Sequence, residues 1–249
     1  MDRRLAFWRS VKFKKAVGAG EILFMAFGGQ DWRTASRASS GLAPRPEEER
    51  EAVVQVYAAR TFNWRGYFAV HTWIALKEKN APSYTTYQVI GWDLGWKGTA
   101  VDIPQDIPDR FWYGAEPQLI EELRGEEAEK AIPQIKKLAA TYPYGKTYNA
   151  WPGPNSNTFI SYIVRNVPEL TVELPPHAIG KDWSPKLIEK SESGSGYQLT
   201  FYGLFGVTVG RAEGIEINIL GLNFGVDFYR PALKLPLFGR IGLKDEPLQ

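Results

Sequence analysis

Three β-rich stretches, joined by connectors too short to carry a crossover, set the first constraint on this chain. Residues 52–59 (Ala-Val-Val-Gln-Val-Tyr-Ala-Ala), 67–76 and 84–92 (Tyr-Thr-Thr-Tyr-Gln-Val-Ile-Gly-Trp) have the β-branched, aromatic and apolar composition of buried strands. Asn63-Trp64-Arg65-Gly66 links the first two, and Lys77-Glu78-Lys79-Asn80-Ala81-Pro82 links the second and third. Parallel neighbours need a crossover of about a dozen residues or more, so the stretches predict an antiparallel meander.

Helical signals come later. Gln118 to Leu123 reads as a short helix, and Gly125 to about Ala140 as a longer one with a kink at Pro133. Asn157 to Asn166 places Phe159, Ile160, Ile163 and Val164 at helical spacing, with Asn155 or Ser156 as N-cap and Pro168 forbidding continuation. From Tyr197 to Ile241, apolar residues alternate with small or polar ones. Gly203-Leu204-Phe205-Gly206, Gly221-Leu222-Asn223-Phe224-Gly225 and Leu237-Phe238-Gly239 echo one another, which predicts antiparallel strands with tight turns. The expected class is therefore α+β, an antiparallel sheet with packed helices and a glycine-rich C-terminal β extension. Its segments are a basic and linker region at 1–50, a core at 51–196 and the extension at 197–249.

Charge is unevenly placed. Residues 1–15 hold six cationic side chains against Asp2 alone, a net of +5, which leaves −3 for the rest of a chain of net charge +2. A mildly acidic body argues against nucleic acid as a partner. The basic start is interleaved with Leu5, Phe7, Trp8, Val11 and Phe13, a mixture suited to a membrane surface through residues 1–28, though a solvated terminus also fits. Residues 16–28 resemble a leader segment interrupted by Glu21. Localisation leans toward membrane-associated or exported, with cytoplasmic as the alternative.

The chain has no cysteine and two histidines. Disulfides, thiolate catalysis and thiolate metal sites are excluded, and no metal or cofactor is expected. What remains for acyl-transfer chemistry is His71, in an apolar strand, and Ser156, at the start of a helix. A serine hydroxyl needs a base to take its proton, and histidine is the usual one. A helix N-terminus presents free N–H groups that stabilise an oxyanion. Asn155 and Asn157 would add donors, Gln88 or Thr86 would orient the imidazole, and Trp73 and Trp151 would line a groove with Trp92 and Trp112. The bland alternative makes Asn155 to Thr158 simple caps and His71 a hydrogen-bonded core residue. Glu213 and Glu216 read as solvated strand edges, and His177, after two prolines, as a loop residue.

The pattern Val-Gln-Val-Tyr-Ala-Ala-Arg-Thr, His-Thr-Trp-Ile-Ala, Gln-Val-Ile-Gly-Trp, then Trp-Pro-Gly-Pro-Asn-Ser-Asn-Thr-Phe (151–159) resembles an uncharacterised bacterial family, domain-of-unknown-function family 3750. More remotely it is similar to circularly permuted NlpC-type papain-like proteins, including lecithin:retinol acyltransferase-like enzymes. That likeness implies a permuted papain-like core, with His71 as base and Ser156 in the place of the cysteine nucleophile. It also implies peptidoglycan peptides or lipid esters as substrate classes. Two functions follow as expectations. One is an amide or ester hydrolase or acyltransferase using Ser156 and His71. The other is a non-catalytic or envelope-associated module, binding a small-molecule, peptide or lipid ligand, that kept the fold and lost the nucleophile.

Overall fold

The computed structural model describes residues 31–243; residues 1–28, expected to meet a membrane, and the leader-like run 16–28 within them lie outside that range. Five strands, β1 (Val53–Arg60), β2 (Val70–Lys77), β3 (Thr85–Val89), β4 (Val101–Asp102) and β5 (Gln118–Arg124), form an antiparallel sheet in the order β4-β3-β2-β1-β5. The first three make the meander their short connectors require. Residues 118–123 are a strand rather than the expected helix. The open edge of β1 takes them, from Val53 opposite Arg124 to Ala58 opposite Gln118, with a register shift at Val56/Tyr57. A six-residue segment has little helical drive of its own, so the ladder along β1 decides.

Three helices follow from local pattern: one turn, α1 (Leu94–Lys97), then α2 (Gly125–Ala140) and α3 (Ser156–Asn166). α2 buries Ala128, Ala131, Ile132, Ile135 and Ala139, while Pro133 is exposed, so the hydrogen bond its ring removes lies on the solvent side. α2 and α3 cover one face of the sheet. Val54, Val56, Ala58, Val70, Ile74 and Leu76 meet Ile132, Ile135, Phe159, Ile160 and Ile163 there.

The opposite face has its own cluster of Val53, Tyr57, Ala59, Trp73, Ala75, Tyr84, Ile90 and Trp112. No helix covers it. A strap formed by residues 31–50 and the 106–115 loop does. Asp109 accepts hydrogen bonds from the hydroxyls of Ser39 (2.8 Å) and Ser40 (3.2 Å) and from the Leu42 and Ala43 amides, and Tyr84 Oη donates to Pro44 O. Residues 31–50 are thus part of the fold rather than a linker.

Seven strands make a second antiparallel sheet. They are β6 (Ile188–Lys190), β7 (Gly196–Phe201), β8 (Phe205–Gly210), β9 (Gly214–Ile219), β10 (Leu222–Asp227), β11 (Ala232–Leu235) and β12 (Gly239–Gly242), in sequential order. It begins at Ile188, ahead of the boundary expected at 197, because Ile188–Lys190 pairs with Leu199–Tyr197. The three echoing glycine motifs are its turns at one end. Gly203, Gly221 and Gly239 hold φ of +71°, +79° and +79°. A Cβ there would press on Trp183, Trp151 and His177 respectively, so glycine serves both the turn and the close approach.

Candidate functional site

Alternation along β2 decides the geometry of the site. Successive strand side chains point to opposite faces. Val70, Ile74 and Leu76 face α3, and the Thr72 hydroxyl donates to Asn157 Oδ1 at 2.9 Å. His71 therefore points the other way, into the cluster of Trp73 and Trp112. Its ring stacks on Trp112 with centroids 3.8 Å apart and planes 15° apart, and lies 5.9 Å from the Trp73 ring. Arg110 sits over the other ring system of that stack, 5.5 Å from the Trp112 centroid.

Gln88, on the neighbouring strand β3, meets the imidazole. Its Oε1 lies 3.1 Å from His71 Nε2, and its Nε2 donates to Asp102 Oδ2 at 3.0 Å. Asp102 in turn accepts from Lys97, which also reaches Asp93. A polar chain thus runs from the buried ring to a half-exposed lysine. Burial nevertheless pushes the His71 pKa down to about 3, against the raising effect of the Gln88 bond and with a small lowering effect of Arg110. At neutral pH the ring is uncharged.

Ser156 opens α3, on the other side of the sheet. The structure does not bring it to His71: among the described residues no hydrogen bond joins the two, and the β2 backbone lies between them. Asn155 is the N-cap. Its Oδ1 accepts from the Asn157 amide (2.9 Å) and the Thr158 amide (3.2 Å), and the Asn155 amide donates to Thr158 Oγ1 at 3.1 Å. Two of the N–H groups expected to stabilise an oxyanion are thereby occupied. Asn155 Nδ2 donates to Ala150 O and Ile179 O, and Asn157 Nδ2 to Val70 O and Ile179 O. Both asparagines are pins that tie the helix start to β2 and to the 178–182 loop. Gly180, at φ +98°, makes this fit possible, since a Cβ would occupy the Asn155 amide group.

The tryptophans expected to form one groove are dispersed. Trp73 is buried, stacked on Tyr57 and bonded through Nε1 to Pro108 O at 2.7 Å. Trp112 is buried on His71, whereas Trp92 is exposed. Trp151 is exposed and donates to Leu220 O at 2.8 Å, which ties the α3 approach to the second sheet. His177 is buried, its pKa also pushed down to about 3 by burial and by Arg60.

Glu213 and Glu216 are not solvated edges; both are buried. The second sheet turns its polar residues inward onto Lys181 and Asp182. Lys181 Nζ lies 2.8 Å from Glu216 Oε2 and 3.0 Å from Asp182 Oδ1. Asp182 Oδ2 accepts from Asn218 (2.9 Å) and Asn223 (2.7 Å), and Lys234 Nζ lies 3.1 Å from Glu216 Oε1. Charges in a low-dielectric interior survive only when paired in this way. The available signal was in β9, where Ile alternates with Glu and Asn.

One cleft brings several polar side chains together. About 350 Å³ in volume, it lies between α3 and the 183–190 segment, lined by Tyr144, Tyr162, Arg165, Trp183, Lys186, Glu189 and Lys190 among others. Tyr144 meets Trp183 edge to face at 4.8 Å. Arg165 Nη1 reaches Glu189 at 3.2 Å, while its Nε is buried without a hydrogen-bond partner. Sequence reasoning missed this cleft because its walls come from three separated segments with no shared motif.

The architecture is that of an α+β protein with two antiparallel sheets, one of which buries a histidine against an indole. The family model described as Protein of unknown function (DUF3750) matches residues 51–183, more than half of the chain, and the chain belongs to that family. No curated protein and no solved structure matches it.

Proposed function

We propose that this protein is a ligand-binding module without acyl-transfer chemistry, one that takes a small molecule bearing an anionic group in the cleft beside α3. In this reading a permuted papain-like core has kept its histidine and helix start and lost the nucleophile–base contact. The observation that carries it is the placement of His71 and Ser156 on opposite faces of one sheet, with the histidine neutral under Trp112. A general base must reach the proton it removes, directly or through one water. The cleft offers what recognition needs: rings of Tyr162 and Trp183, with Lys186 and Lys190 on the facing wall.

A fragment screen with carboxylated and phosphorylated aromatics, read by NMR, tests this. The Lys186→Glu/Lys190→Glu double variant should weaken anionic fragments by about tenfold, as expected for loss of roughly 1.4 kcal/mol. Ser156→Ala should leave them unchanged. The second reading is an amide or ester hydrolase or acyltransferase. The His71–Gln88 bond favours it, but it needs His71 to leave its stack. A fluorophosphonate adduct on Ser156, found by mass spectrometry, would establish that chemistry and refute the binding-only reading.

A further inference from the structure

The second sheet is built inside out. Its inward positions are polar, among them Gln198, Thr208, Glu216, Asn218, Asn223 and Lys234, all buried. Its outward positions are apolar, among them Leu199, Phe205, Val207, Ile215, Ile217 and Phe224, all exposed; Phe205 and Ile217 show 52% and 48% of their surface. From β7 to β12 the outward face carries no charged residue. Seven strands about 4.8 Å apart and up to six residues long make a face of roughly 29 Å by 20 Å. Soluble surfaces rarely leave an apolar patch of that size bare.

The two ends of the sheet differ, and the difference identifies what covers the face. In a sequential meander the turns alternate between ends. The turns at one end carry Tyr202, Leu204, Leu220, Leu237 and Phe238 and no charge. At the other end lie Lys190, Arg211 and Arg230, exposed or half-exposed, with Tyr229 accepting a 2.7 Å bond from Arg211; the acids there, Glu192, Glu213 and Asp227, are buried. A second copy stacked face to face would cover the strands but leave the apolar turns in water. A lipid leaflet accommodates both, with the arginines and tyrosine at the level of anionic headgroups. Among the described residues no helix is long and apolar enough to cross a membrane.

We propose that the outward face of the β6–β12 sheet docks on a phospholipid bilayer, its exposed Leu220 and Phe238 side chains entering one leaflet and Arg211 meeting anionic headgroups.

The absence of cysteine makes a direct test simple. Full-length Ile217→Cys, Leu237→Cys and Arg211→Cys chains, each labelled with an environment-sensitive fluorophore, are mixed with phosphatidylcholine–phosphatidylglycerol vesicles. Quencher is carried deep or shallow on the acyl chains. Labels at 217 and 237 should shift to the blue and be quenched by the deep probe, and the label at 211 by the shallow probe alone. The unlabelled Phe205→Lys/Ile217→Lys variant, whose changes lie on exposed positions, should keep its circular dichroism and bind vesicles roughly tenfold or more weakly. Vesicle binding without quenching at 217 and 237 would assign attachment to residues outside this sheet and overturn the proposal. So would a label at 217 already blue-shifted without vesicles and insensitive to them. In a dimeric chain that result would assign the face to a second copy, and in a monomer to another part of the same chain.

Discussion

The His71 imidazole lies flat against the Trp112 indole, 3.8 Å between centroids, and that contact closes the face of the sheet on which a base would have to act. Removing the lid should be costly and visible. Trp112→Ala should destabilise the fold by about 3–5 kcal/mol in urea unfolding, and in NMR titration the His71 pKa should climb from about 3 toward the ordinary histidine range as water enters.

The same burial gives the fold an acid limit. His71 and His177 both hold pKa values near 3, below the ordinary 6.5. In the unfolded chain they bind protons first, so their contribution to stability is complete above about pH 6.5 and is lost as pH falls toward about 3. The unfolding midpoint should fall through that window, and His71→Gln should flatten the slope.

Glu192 works in the opposite sense. Burial raises its pKa from 4.5 to about 7, against the lowering influence of Lys181 and Arg165. Between about pH 4.5 and 7 the native state holds a proton the unfolded state has released, so this group's contribution declines as pH rises. The difference in stability between Glu192→Gln and the parent should therefore change with pH across that interval and be flat below it. A pH-independent difference in calorimetric midpoints would refute the assignment.

At the start of α3 the cap predicts a graded series. Asn155→Ala should cost about 1–2 kcal/mol as a lost N-cap. Asn157→Ala, which strands the buried Val70 carbonyl and takes the acceptor from the Thr72 hydroxyl, should cost about 1–3 kcal/mol. Ser156→Ala, lying between them, should cost less than either. Thermal unfolding of the three variants orders them; a Ser156→Ala loss equal to that of Asn155→Ala would mean that the serine hydroxyl is itself a structural pin.

Lys181 is buried among Asp182, Glu216 and Glu192. Lys181→Met removes the cation Asp182 and Glu216 share, leaving Glu216 with Lys234, and should cost about 3–5 kcal/mol. Adding Glu216→Gln should restore part of the loss, so denaturant unfolding of the single and double variants would give a sum smaller than its parts.

Much of the local structure was legible in the chain. The first three strands, the helix from Gly125 and the capped helix before Pro168 each carry a periodic or punctuating signal over enough residues to be read alone. Residues 118–123 were misread because six residues hold too little helical preference to resist the open edge of β1. Glu213 and Glu216 were misread because their partners, Lys181 and Lys234, lie far away in sequence.

The order of residues thus dictates period, caps and turns, all of which depend on neighbours within a few positions. It also places a histidine on a strand and a serine at a helix start. Which side of the sheet each one faces was settled when α3 packed against Thr72 and Val70, because a strand turns alternate side chains to opposite faces and a shift of one residue reverses them. The destination of the apolar stripe in the second sheet was settled in the same way, once the Lys181 cluster claimed the inward positions and no layer of the described chain was left to cover the outward ones.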